Sequence, residues 1–136
     1  MNNESLLRLV WAAAIIASGL GLYWLATRAI LARARSASRN EDINPSGSPS
    51  ILYFTTPDCI PCKTIQRPAL EKVKTTLGSQ FQLVEVNAYE QPDMAKKWGV
   101  LSVPTTIILD ARGTPRHVNF GAIGADKLLK QLSEAE

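Results

Sequence analysis

The chain of 136 residues has few metal-binding side chains: two cysteines and a single histidine. A structural zinc site takes about four such ligands, usually as two closely spaced pairs, so Cys59, Cys62 and the distant His117 fall short of one. There is no internal repeat, and no motif of a DNA- or RNA-binding module accompanies the net charge of +3. That charge is also unevenly placed. From Ser50 onward ten Lys and Arg face nine Asp and Glu, while Arg28, Arg33, Arg35 and Arg39 stand together in a stretch without acids. A basic collar of this kind suits lipid headgroups and not a nucleic-acid face.

Charge is missing altogether from Leu9 to Thr27, "LVWAAAIIASGLGLYWLAT". Nineteen helical residues at about 1.5 Å each span the hydrocarbon of a bilayer. Trp11 lies near one end of the run and Tyr23 and Trp24 near the other, where amphipathic rings favour the interface. The competing reading is a cleavable signal peptide, but this run exceeds the usual apolar core of about 7–15 residues. The organisation expected is a tail over 1–8, a transmembrane helix over 9–27, a basic collar and flexible linker over 28–49, and a folded domain over 50–136. Ala13, Ala17 and Gly21 form a small-residue ridge of the kind on which two anchors pair as a dimer.

Within the folded part the apolar pattern alternates between two periods. "SILYFT" predicts a strand, and a helix is expected from about Cys59 to Leu77, with Ile65, Ala69, Leu70, Val73 and Leu77 on its buried side and Gly78 as its stop. "FQLVEVNA" predicts a second strand, and "QPDMAKKWG" a short helix with proline in its first turn. "TTIILD" and "TPRHVNF" flank the turn Ala111-Arg112-Gly113 as a hairpin, and "ADKLLKQLSEA" closes the chain as an amphipathic helix. The order βαβαββα implies an α/β fold with a mixed four-stranded sheet: a parallel pair joined by a helical crossover, then an antiparallel hairpin.

Cys59 and Cys62 are three positions apart, at the junction of the first strand and the first helix of this domain. A cysteine at a helix start meets unpaired N–H groups and the positive end of the dipole, which stabilise a thiolate. A second cysteine one turn further in can resolve a mixed disulfide with the first. C-x-x-C beside a βαβ pattern is a redox signal, although two incidental core cysteines at this spacing remain the bland alternative.

Further motifs give the pair its context. "CIPCK" resembles the active-site motif of the thioredoxin family, and "VPTTIIL", with its proline 42 residues beyond Cys62, resembles that family's cis-proline loop. "KKWGVLSVPT", "DARGTP" and "FGAIGADKL" resemble the segments leading to that proline, the hairpin turn and the glycine before the last helix. The likeness covers about Ile51 to Leu132. It implies a thiol–disulfide oxidoreductase that needs no bound cofactor, acts on protein disulfides and is recharged by a thiol electron donor. By resemblance Cys59 is the nucleophile and Cys62 the resolving thiol, while Ile60 and Pro61 shape the motif. Val103, a cis Pro104 and Thr105 would receive an extended substrate segment by strand addition.

Several departures qualify the likeness. The family's first strand and helix have no counterpart in a linker, so a trimmed thioredoxin-like fold is expected. Asp58 stands where the family usually has tryptophan, and Pro68 lies one residue later than its kink proline. Tyr53 and Glu85 occupy the places of the family's buried aspartate and lysine. Glu85, in alternation with Phe81 and Leu83, is a candidate proton acceptor for Cys62 if it is buried, and a solvated strand residue if it is not. The arginine excess after the span places the domain in the cytoplasm by the positive-inside rule, whereas anchored relatives often work outside. A docking module with incidental cysteines is the alternative to an enzyme.

Overall fold

A computed structural model describes residues 2–38 and 47–136, the side chains of 34–38 excepted. It divides into two compact units, Met1–Ile30 and Leu31–Glu136. The N-terminal helix α1 runs over Asn3–Ser38, longer at both ends than the expected span. The collar residues up to Ser38 are therefore helical and not linker, as their strong helix formers (Leu, Ala and Arg) dictate; residues 39–46 lie outside the described part. Within Asn3–Arg33 an 18-residue window has a mean hydropathy of 1.8, and the helix is long and apolar enough to cross a membrane. Leu9, Ile15, Ile16, Leu20 and Leu25 are all exposed, so no protein core accounts for them. Near its far end the Arg28 guanidinium lies 3.6 Å above the Trp24 ring, a cation–π contact of the kind favoured at an interface.

The second unit contains β1 (Ser50–Thr55), a π-turn at Cys62–Gln66 leading into α2 (Arg67–Leu77), β2 (Gln82–Asn87), α3 (Pro92–Lys97), β3 (Thr105–Leu109), β4 (Pro115–Phe120) and α4 (Ala125–Glu134). Four strands pair in the order β2-β1-β3-β4. β1 runs parallel to β2 and antiparallel to β3, which pairs antiparallel with β4. All six residues of β1 are buried, and its near-continuous apolar run is what a central strand covered on both faces requires. The expected mixed sheet with flanking helices is the observed one.

Side chains of a strand point alternately to opposite faces, and the core divides accordingly. Ile51, Tyr53 and Ile108 face one way and meet Leu70 and Val73 of α2 and Leu128 and Leu132 of α4. Leu52, Phe54, Ile107 and Leu109 face the other way against Ala95 of α3 and Trp98. Each large side chain sealed in this way contributes about 1.5–3 kcal/mol by leaving water. A polar contact also ties α4 to β4: the buried amides of Asn119 and Gln131 exchange hydrogen bonds of 2.7 and 2.9 Å, and Asn119 donates to the Thr106 hydroxyl at 3.2 Å.

Asp110 organises the β3–β4 hairpin. Its Oδ1 accepts the N–H groups of Arg112 and Thr114, both at 2.9 Å, and its Oδ2 accepts the Arg116 guanidinium at 2.8 Å. Gly113 completes the turn at φ 78°, a left-handed conformation open to glycine. Burial pushes the Asp110 carboxyl up, but the N–H groups of Thr114 and Arg112 and the Arg116 charge outweigh it and hold the carboxyl below its ordinary value. The folded state thus binds this proton less readily than the unfolded chain. The resulting stability is complete above about pH 4 and is lost as the pH falls through the lowered value. Asp110→Asn is expected to cost about 1–2 kcal/mol at neutral pH and to flatten the acid limb. Denaturant titrations of both proteins from neutral pH to pH 3 check this, and parallel curves would refute it.

Candidate active site

Cys59 and Cys62 form a disulfide with Cα atoms 5.3 Å apart. β1 ends at Thr55, a turn passes Pro57 and Asp58, and helix begins at Ile60, which leaves Cys59 at the cap. Its sulfur accepts the Cys62 N–H at 3.2 Å, as an N-cap side chain accepts an orphan donor of the first turn. The same donor is in place for a Cys59 thiolate. Pro61 stands in that first turn, where a missing N–H costs nothing. Cys62 is fully buried and Cys59 is 8% exposed. Ile60 projects into solvent and Asp58 is exposed beside it.

From Cys62 to Gln66 the helix widens into a π-turn, with the Arg67 N–H bonded to the Cys62 carbonyl. Pro68 has no N–H for Thr64, and its ring would crowd that carbonyl in a regular helix. A π-turn absorbs one extra residue ahead of the proline. It also rotates the phase of the helix. Ile65, expected on the buried side, is exposed, and Gln66 is buried in its stead. The Gln66 amide exchanges hydrogen bonds with the backbone of Ile123, its oxygen accepting the N–H at 3.1 Å and its nitrogen donating to the carbonyl at 3.4 Å. Periodicity passed over Gln66; the late proline was the signal that one residue had to be accommodated.

The Val103–Pro104 peptide bond is cis. Val103 and Ile123 both pack against the buried cluster that contains Cys59, Cys62 and Tyr53. The Gly121 N–H donates to the Pro104 carbonyl at 2.8 Å, and the Thr105 hydroxyl donates to the Ser102 carbonyl at 2.6 Å. No hydrogen bond among the described residues engages the Val103 backbone. Leu101, next but one before Val103, is exposed.

Beneath the pair, the Tyr53 hydroxyl donates to the Cys62 carbonyl at 3.5 Å and the ring is fully buried. Glu85 is the register partner of Tyr53 on the neighbouring strand, yet it is not buried. Its side chain is 47% exposed and forms an ion pair with Arg67 at 3.1 Å. The expectation of a desolvated carboxylate is thereby corrected: β2 is an edge strand, and Glu85 lines an open cleft of about 260 Å³ with Thr55, Lys63, Arg67 and Asn87. Among the described residues, no group of three or more His, Cys, Asp or Glu side chains could hold a metal ion.

Comparison with known proteins agrees with this geometry. The thioredoxin family model matches residues 31–134, reaching back beyond Ile51 to take in the end of α1. A thioredoxin of Rhodospirillum rubrum is 32% identical over 94 residues, covering 69% of this chain and 88% of its own length. A bifunctional thioredoxin reductase/thioredoxin of Mycobacterium leprae is 32% identical over 98 residues, 72% of this chain but 21% of that protein. Among solved structures, a malaria-parasite thioredoxin-2, described as a component of the protein secretion machinery, superposes with a TM-score of 0.60 at 23% identity, over 64% of this chain and 82% of its own, a likeness of fold. The chain belongs to the thioredoxin family and is a thiol–disulfide oxidoreductase.

Proposed function

We propose that this protein is a membrane-tethered reductase of protein disulfides, with α1 as an uncleaved anchor and the domain on the cytoplasmic side. The observation that carries the reading is Cys59, the more exposed of the pair, with its sulfur at a helix cap and Val103 packed on the same cluster. The Cys59 thiolate attacks one sulfur of a substrate disulfide, and the other sulfur departs and takes up a proton. Cys62 then gives its proton to water, attacks the Cys59 sulfur and releases the second substrate thiol. Two electrons have passed to the substrate, and the pair is left as a disulfide for a thiol donor to reduce. The cysteines carry the electrons themselves, without a bound cofactor. Tyr53 orients the Cys62 carbonyl, and Glu85 is engaged by Arg67.

The reducing direction follows from what surrounds Cys59. No histidine lies between the cysteines to stabilise a thiolate, and Asp58 adds a carboxylate beside it. A less stabilised thiolate makes the disulfide harder to reduce. Equilibration of the full-length protein against glutathione should therefore leave the disulfide largely intact, and the reduced protein should turn over insulin disulfides. A potential near that of a dedicated oxidant, about −120 mV, would overturn the direction. A folded protein without turnover on any disulfide would instead make it a docking module.

A further inference from the structure

We propose that Gln66 is a positioning residue for this reaction: its buried amide holds the Ile123 segment against the cysteine-bearing helix and so aligns the rim on which a protein disulfide is received. The inference rests on the thiol–disulfide reading of the cysteine pair.

Three segments meet around the cysteines, and the hydrogen bonds join them in series. The π-turn begins at Cys62 and ends at Gln66. The Gln66 amide is bonded both to the N–H and to the carbonyl of Ile123. Two residues before Ile123, the Gly121 N–H is bonded to the Pro104 carbonyl. A displacement of Ile123 is therefore felt on one side by the cysteine helix and on the other by the cis-proline loop. Both Ile123 and Val103 also pack on the cluster that includes Cys59 and Cys62.

A side-chain amide is suited to this task because it presents one donor and one acceptor, as a strand partner does. Ile123 immediately precedes Gly124, the cap of α4, and belongs to no strand of its own. Without Gln66 its N–H and carbonyl lose their partners at a half-buried place, where unmade bonds are costly. The clamp depends on the phase shift of the π-turn, since a regular helix would turn Ile65 inward instead. Gln66 touches neither sulfur nor substrate in this scheme. It acts through the loop, and it matters most for a substrate large enough to lie across that loop.

The test is Gln66→Met in the full-length chain in detergent, a change that preserves volume and removes both bonds. The KM for insulin is expected to rise about tenfold, the equivalent of roughly 1.4 kcal/mol of lost alignment. The rate with a small aromatic disulfide, which needs only the cysteines, should stay at the wild-type value. An unchanged KM for insulin, or equal losses on both substrates, would overturn the proposal, the second because it describes a smaller folded fraction. A wild-type protein that reduces neither substrate would refute the underlying reading instead. Should Q66M fail to fold, amide exchange of the wild-type protein decides: the Ile123 N–H should be protected like the amides of β1, and exchange at the rate of an open loop would refute the clamp.

Discussion

Replacing Cys62 by serine is expected to stall the reaction at a mixed disulfide on Cys59, while replacing Cys59 by serine is expected to leave nothing trapped at all. The asymmetry follows from burial and from the cap. Cys59 is 8% exposed and its sulfur accepts an N–H from the first helical turn, whereas Cys62 is fully enclosed. An incoming disulfide can therefore align with Cys59 but not with Cys62, and thiol–disulfide exchange needs access to the sulfur attacked. In both variants turnover should fall at least about a hundredfold, because neither can complete the dithiol–disulfide cycle. Mass spectrometry after incubation with an oxidised protein substrate distinguishes them. Adducts on Cys62 in the Cys59→Ser protein, with none on Cys59 in the Cys62→Ser protein, would reverse the roles.

The second large effect concerns α1. Introducing Ile16→Arg together with Leu20→Arg should release the protein from the membrane almost entirely. Ile16 and Leu20 are 63% and 66% exposed in the middle of the apolar stretch, with no protein surface to shelter a charge. An arginine at the centre of a spanning helix costs about 2.5–3.5 kcal/mol in insertion. Two together shift the partition by roughly four orders of magnitude. Sedimentation after alkaline extraction reads the outcome, and the wild-type chain should stay in the pellet with its apolar run from Leu9 to Thr27 retained. A wild-type protein recovered in solution and shortened beyond the apolar run would identify α1 as a signal peptide. Reporters fused after Glu136 then fix the side of the membrane, and the proposed topology expects the cytoplasmic one.

How much of this was legible in the sequence depended on the range of the interaction responsible. β1 appears at the residues its pattern gave, Ser50–Thr55, and β2, β3 and β4 differ at their ends by one residue; alternation and turn chemistry are local and strong. The cysteine pair at the helix start was legible from its spacing and its place after a strand, whereas the cis proline 42 residues later was legible only through the resemblance to the thioredoxin family. Helix α1 outran its expected end because a charge-free run marks the membrane-compatible part of a helix and not its whole length, and arginine continues a helix as well as leucine does. Ile65 and Gln66 exchanged faces because a π-turn shifts the phase of everything before it, and a periodic template assumes constant phase. The setting of Glu85 was not legible from alternation alone. Its side chain lies on the face that alternation indicated, but whether that face is covered depends on the strand being at the sheet edge, a property of the whole fold.

The amide pair between β4 and α4 makes two distant positions behave as a single locus. Asn119 and Gln131 satisfy each other inside the core, so changing either alone strands a polar group away from water, at a cost of about 1–3 kcal/mol. Only if Thr106, whose buried hydroxyl accepts from Asn119, is exchanged along with them does the change to apolar groups of similar shape remove donors and acceptors together, and it can then be nearly neutral. Any lineage that leaves this arrangement must pass through the costly single substitutions or take all of the steps at once. The barrier between two acceptable cores is then mutational and not energetic, and it keeps an apolar interface out of reach that the domain would tolerate perfectly well.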